Sequence, residues 1–526
     1  MKRRDFLKYS SFSTIPLMLP GIPVNALTNT PLLDLLAQTA NDKILIVIQL
    51  NGGNDGLNMV IPIDQYSGLS QVRSNIMIAE SKVLKLANTS ITGLHPAMKG
   101  VQTIYNEGKV RLLHDVGYNP SNFSHFRSLD IWLQANSDTT IPVNTGWMGR
   151  FLDLEYPGFP DGYPNAEFPD PPAVQMGSVV SSGLMGQYAI DGIAVADPGD
   201  FAQISKGSNL DQNPPVTAYG RELKYIRLLT LQTQKYTDSV KEALIKGSIL
   251  SPLWPQPSTG LAAQMKLVAQ MISGGLQSKI YMVEQGGYDT HFNQVLTGDT
   301  SLGEHSNLLG ELSGAISAFQ DEMRRHSLED RVVGITFSEF GRRIKSNGSL
   351  GTDHGTAAPM LAFGSQVIPG ALGKNPTISS SVTVADNLQP QTDFRQVYNS
   401  LLKDWFGMTD PQLATVLPKP SGGNWDYVEI IKQPGKSYKF GVPAILGQNM
   451  PNPFHAITTI PFYAKSGRTI IEVWDTLGRK LQTVLDADLQ EGANQVQFNG
   501  VNLASGIYYY RIQTGGMTKT LPMIKA

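Results

Sequence analysis

The chain has 526 residues, 41% of them hydrophobic, with a formal net charge of −2 and no cysteine. That length calls for two or three domains with a sizeable core, and the near-balanced charge without a basic block gives no sign of a nucleic-acid partner, so none is expected. The missing cysteines exclude disulfides, thiolate metal sites and a cysteine nucleophile, so any metal is left to His, Asp and Glu.

The N-terminus opens on Lys2-Arg3-Arg4-Asp5-Phe6-Leu7-Lys8, followed by a short apolar stretch to about Val24-Asn25-Ala26. A basic start, an apolar middle and a small-residue end predict a signal peptide over residues 1–26. The paired arginines before Phe-Leu-Lys resemble a twin-arginine export signal, a route that carries folded proteins. The apolar part is too short and too broken by proline to span a bilayer, so no transmembrane span is expected in the mature protein.

Lys43 to Leu50 is a continuous apolar run and predicts a central parallel strand. It ends in Asn51-Gly52-Gly53-Asn54-Asp55-Gly56, a loop whose glycines let backbone and Asp55 approach a ligand. Val110 to Gly117 predicts a second strand, and Phe123 to Gln134 a helix with Ser124 near its start. Ala218 to Lys246, Gly260 to Ile272 and Ser306 to Arg325 have helical spacing. Lys279 to Val283, Arg331 to Phe337 and Pro359 to Gly364 predict further strands, and Asp393 to Trp405 a closing helix. Strand and helix alternate over residues 43–407, which argues for an α/β domain: a layered, mostly parallel sheet with helices on both faces.

Pro, Gly and Ser enrich residues 418–439, the expected linker. Beyond it Thr469 to Trp474, Asn494 to Phe498 and Gly506 to Ile512 alternate as strands, so residues 440–526 predict a small immunoglobulin-like β-sandwich. Asn449-Met450-Pro451-Asn452-Pro453-Phe454, Val473-Trp474-Asp475 with Gly478-Arg479, and Leu503 to Tyr508 resemble the C-terminal sorting domain of the type IX secretion system of Bacteroidetes and relatives. The resemblance implies passage across the outer membrane, then release or attachment at the cell surface, with the twin-arginine and type IX machineries as partners.

Two strand-end loops carry acids and imidazoles together: Gly287-Tyr288-Asp289-Thr290-His291, and Ser338-Glu339 followed by Gly351-Thr352-Asp353-His354-Gly355. In an open α/β sheet ligands bind outside the carboxyl ends of the strands, so these side chains can converge on a divalent cation. Together with Gly52 to Asn58, Leu94-His95-Pro96, Ser124-His125-Phe126 and Gly146 to Arg150, these motifs resemble a family of exported bacterial proteins of unassigned function, related to sulfatases and the alkaline phosphatase superfamily. The resemblance implies Asp55, Asp289, His291, Glu339, Asp353 and His354 as metal ligands, for zinc, manganese, calcium or magnesium. It implies Ser124 as nucleophile, with His125 as acid or base. The implied activity is metal-dependent hydrolysis of phosphate or sulfate esters, on a small anionic ester or a sulfated or phosphorylated glycan. The alternative is a non-catalytic surface binding or structural protein on a degenerate sulfatase-like fold, and Phe340, where a second His would be expected, favours it.

Each residue has a simpler reading beside the chemical one. Asp55 can stabilise its turn, Ser124 can be an N-cap and His125 a structural histidine. Glu339 can pair with Arg342 or Arg343, and Asp353 can orient His354 from behind.

Overall fold

The computed structural model describes residues 42–138, 143–195, 236–438, 446–449, 451–490 and 492–526, and a two-residue strand pair at Met18–Leu19 and Ile22–Pro23. The rest of the predicted signal peptide and residues 218–235 of the predicted helix lie outside the described residues.

Every residue of β1 (Ile44–Leu50) is buried, so both faces of the sheet are covered there. This is why the run shows no polar alternation. The nine-stranded sheet further contains β2 (Val110–Gly117), β3 (Ala173–Met176), β4 (Ile193–Val195), β5 (Ile280–Gln285), β6 (Val332–Phe337), β7 (Ala358–Phe363), β8 (Gly370–Leu372) and β9 (Thr392–Asp393). Their spatial order is β8-β2-β7-β6-β1-β5-β3-β4, with β9 beside β2. All neighbours are parallel except β7, which runs antiparallel to both β6 and β2.

The helices form two packed groups. One contains α1 (Lys99–Asn106), α4 (Gly260–Ser273) and α5 (Glu304–Arg325); the other α2 (His125–Gln134), α3 (Trp147–Glu155), α6 (Phe394–Asp404) and α7 (Asp410–Val416). Trp132 of α2 stacks on Phe337 of β6 and Phe394 of α6, closing the second group onto the sheet. The two groups and the full burial of β1 give the layered α/β architecture with helices on both faces.

The expected linker needs correction. Ile430 and Ile431 are buried in the body's core, and Ile368 N donates to Ile430 O at 2.7 Å. Trp425 and Val428 pack against the same core, so the Pro- and Gly-rich stretch is strapped to the body by its apolar residues.

The tail has its own core, with Leu446, Phe454, Ile460, Ile471, Tyr510 and Met523 inside. β10 (Ile457–Ala464) pairs with β13 (Gly492–Asn499), while β12 (Lys480–Leu489), β11 (Gly467–Trp474), β14 (Gly506–Thr514) and β15 (Met517–Lys525) form a four-stranded antiparallel sheet in that order. Two antiparallel sheets around one apolar centre make a β-sandwich. Among the described residues no helix is long and apolar enough to cross a membrane.

Candidate functional site

The loops after β1, β5 and β6 leave the sheet at the same rim, because these three strands are adjacent and parallel. The reversed strand β7 begins at that rim, so the loop before it, with Asp353 and His354, arrives there too. The loop after β2 leads into α2 and delivers His125 to the same place. Gly52 and Gly53 have φ of +122° and +82°. A Cβ on Gly52 would sit 2.3 Å from Asp289 N, and one on Gly53 2.3 Å from the Phe340 ring. The loop after β1 is glycine-rich because the β5 and β6 loops press directly on it.

Arg342 holds these loops in register. Its side chain is fully buried and donates to Gly53 O at 2.6 Å, Thr352 O at 2.7 Å, Tyr288 O at 3.0 Å and Asp289 Oδ1 at 2.7 Å, and also to Gly52 O. Burial alone would raise the Asp289 pKa, but the Arg342 hydrogen bond and charge, with His354 and His291, hold it below the usual carboxylate range.

Asp289, His291 and His354 meet at this rim. Asp289 Oδ1 lies 3.2 Å from His291 Nε2 and 3.2 Å from His354 Nε2, and the two Nε2 atoms are 3.0 Å apart. The tautomers follow from what lies behind each ring. His354 Nδ1 faces the carbonyl of Phe123 at 2.9 Å, and His291 Nδ1 faces Asp353 Oδ1 at 2.9 Å, so both Nδ1 atoms donate. With Nδ1 as donor, the neutral form of each ring points an Nε2 lone pair at the other and at the Asp289 carboxylate. Burial pulls the His354 pKa down against the opposing hydrogen bonds to Phe123 and Asp289.

Three lone pairs facing one another without a proton repel, unless a cation lies among them. A tetrahedral or octahedral ion with bonds of about 2.0–2.2 Å would hold its ligands roughly 2.9–3.5 Å apart, and the donor separations are 3.0–3.2 Å. The donor set fits a divalent metal.

His125 stands at the edge of this group. Its Nδ1 faces Glu339 Oε1 at 2.8 Å, its Nε2 lies 3.6 Å from Asp289 Oδ2, and its ring centroid is 4.5 Å from that of His354. Donor atoms of His125, Asp289 and His354 all lie within 4.8 Å of one another. The buried ring of Phe340 packs 4.9 Å from His125 and 4.5 Å from His354, forming an apolar floor beneath both imidazoles.

Several expected ligands are engaged elsewhere. Asp55 is 1% exposed, and Arg73 donates to both its oxygens at 2.9 and 3.0 Å while Gln294 donates to Oδ2 at 2.7 Å. Burial would raise its pKa, but the Arg73 guanidinium holds it low, so Asp55 is the buried counter-ion of Arg73. Glu339 Oε1 accepts from Gly52 N at 2.8 Å as well as from His125, and Oε2 accepts from Ser338 Oγ at 3.2 Å. Its carboxylate therefore orients His125 and pairs with neither Arg342 nor Arg343. Asp353 stands behind His291, where the sequence reading placed it behind His354. Ser124 is the N-cap residue of α2, but its Oγ makes no capping hydrogen bond. Arg342 was legible only as part of Glu-Phe-Gly-Arg, since nothing in a sequence tells which loops one guanidinium will join.

Residues 234–418 match the family described as Protein of unknown function (DUF1501), and residues 450–526 match the Secretion system C-terminal sorting domain. The chain carries a DUF1501 domain and a type IX sorting tail. The tail directs the DUF1501 body out of the cell, to the surface or beyond, and makes the type IX machinery its partner. No curated protein matches the chain. Among solved structures, the chain is similar to the PsFucS1 sulfatase from Pseudoalteromonas sp., at 11% identity and a TM-score of 0.33, over 89% of this chain and 86% of that one. It is also similar to a protein in the alkaline phosphatase superfamily from Vibrio parahaemolyticus, at 9% identity and a TM-score of 0.32, over 85% and 83% of the two chains.

Proposed function

We propose that the DUF1501 body is a metal-dependent hydrolase of phosphate or sulfate esters working at the cell surface. The observation that carries this reading is the convergence of the Asp289, His291 and His354 lone pairs at the strand-end rim. Asp289 Oδ1 and the two Nε2 atoms would hold the ion, and imidazole donors favour zinc over manganese, calcium or magnesium. Such an ion, when bound, neutralises an anionic ester and lowers the pKa of a ligated water or hydroxyl.

The chain's own groups supply the rest. Glu339 fixes the His125 ring so that Nε2 faces the open side of the cluster, where it can take a proton from the nucleophile or return one to the leaving group. Ser124 lies at the start of α2, whose first amide N–H groups are free for an anion, and is the candidate nucleophile. Phe126 and Phe292, each next to a histidine of the group, are 87% and 60% exposed and offer apolar surface for the non-ionic part of a substrate.

The second reading, a cation-binding surface protein without turnover, is favoured by the Ser124 hydroxyl, which has no hydrogen-bonded base.

Chelator-stripped protein reconstituted with zinc or manganese, then desalted, distinguishes the readings. We expect stoichiometric metal in the wild type, at least tenfold weaker binding in His354→Ala, and unchanged metal with lost aryl-phosphate or aryl-sulfate turnover in His125→Ala. Equal metal affinity in His354→Ala removes the centre. Bound metal with no turnover of either ester class leaves the binding protein.

A further inference from the structure

Two carboxyl groups that form no salt bridge among the described residues meet at the opposite rim of the sheet. Strand β4 is the sheet's edge and runs parallel to β3. Asp191 precedes β4 by two residues, so it lies at the amino end of the strands, whereas the histidine group lies at their carboxyl end. The segment before it forms a tight hairpin, closed by Gly186 N donating to Ala189 O at 2.7 Å and by pairing of Met185 with Ile190. This hairpin lies against the last turn of α3, where Asp153 Oδ2 accepts from Gln187 N at 2.8 Å.

The free oxygens of the two aspartates converge on Gly186. A Cβ on Gly186 would lie 2.1 Å from Asp191 Oδ2 and 2.7 Å from Asp153 Oδ1. Asp191 is 1% exposed, and its Oδ2 is buried without a hydrogen-bond partner. A buried carboxylate oxygen facing a second carboxylate is a costly arrangement. The nearby Arg150 acts on Asp153 by its charge alone, since it donates to Val416 O at 2.8 Å, Thr145 O at 2.7 Å, Thr145 Oγ1 at 3.0 Å and Gln134 O at 2.7 Å. The negative end of the α3 dipole adds to the same field.

We propose that Asp153 and Asp191 form a second cation site, for a hard divalent ion of the calcium class. All the donors are oxygens, which such ions require, and the partly exposed Asp153 lets solvent complete the coordination. Gly186 is glycine because a side chain there would fill the ion's place. Calcium-binding modules outside cells work at about 0.1–1 mM, which suits a protein that its tail sends out of the cell. The site shares no residue with the histidine group, and neither proposal depends on the other.

The test uses the full chain in the His354→Ala background, which disables the other centre, at neutral pH after chelation. Calcium at about ten times its Kd should raise Tm by roughly 2 °C. Asp191→Asn added to that background should abolish the rise, and Asp153→Asn serves as the second variant if Asp191→Asn does not fold. Calorimetric titration with calcium alone should show one site lost in either variant. No calcium response overturns the proposal; a higher Tm for Asp191→Asn without calcium would then show that the pair shares only a proton. A response that survives both substitutions also overturns it, because the ion then binds elsewhere.

Discussion

Asp55 shows how a residue can have the right position for one role and the partners for another. It ends the loop after the first strand of the body, where a metal ligand was expected, yet both its oxygens are taken by Arg73 and Gln294. Arg73 is 3% exposed, so removing Asp55 strands a buried guanidinium. We expect Asp55→Ala to cost about 3–5 kcal/mol in urea unfolding while leaving the metal affinity of any folded fraction unchanged. A loss of metal without loss of stability would return Asp55 to the centre. Asp289, His291 and His354 differ from Asp55 in facing one another, with Arg342 donating to the same Asp289 Oδ1 that faces the two imidazoles.

At the scale of elements, α5 and the loop after β1 are joined through one imidazole. His305 Nδ1 accepts from Asn58 Nδ2 at 2.8 Å, which leaves Nε2–H to donate to Asn54 Oδ1 at 2.9 Å. The bond that Nδ1 accepts from Asn58 needs the neutral ring, and burial lowers its pKa to about 4. An unfolded histidine titrates near 6.5. The folded state therefore resists protonation, so this contribution is complete above pH 6.5 and is lost as pH falls toward about 4. The effect is on the order of 3 kcal/mol. Urea midpoints measured from about pH 7 down to about pH 4.5 should fall less steeply in His305→Gln than in wild type; equal slopes would refute the assignment. β7 makes the other decisive join, because its reversed direction brings the His354 loop to the rim where β1, β5 and β6 end.

At the scale of the molecule, body and tail have separate cores. The body's last stretch, to Ile431, belongs to its own core. A chain ending at residue 438 should keep the body's melting transition and its metal affinity, and should no longer reach the cell surface when expressed in a type IX-competent host. Loss of the body's transition on truncation would mean that the tail supports its fold.

The sequence by itself determined what depends on local order. Continuous apolar runs marked the buried strands, among them Val110–Gly117 with both ends correct. Helical spacing marked α2, α4, α5 and α6, and the tail's motifs marked its destination. The short strands β3 and β4, the helices α1 and α3, and the tail strands β10, β12 and β15 escaped; β3 and β4 are too brief to show a period. The tertiary structure alone decided which acids and imidazoles meet. That outcome depends on strand order, on the direction of β7 and on buried arginines that capture some carboxylates and spare others. These are contacts between residues from 18 to 287 positions apart, and no local pattern encodes them.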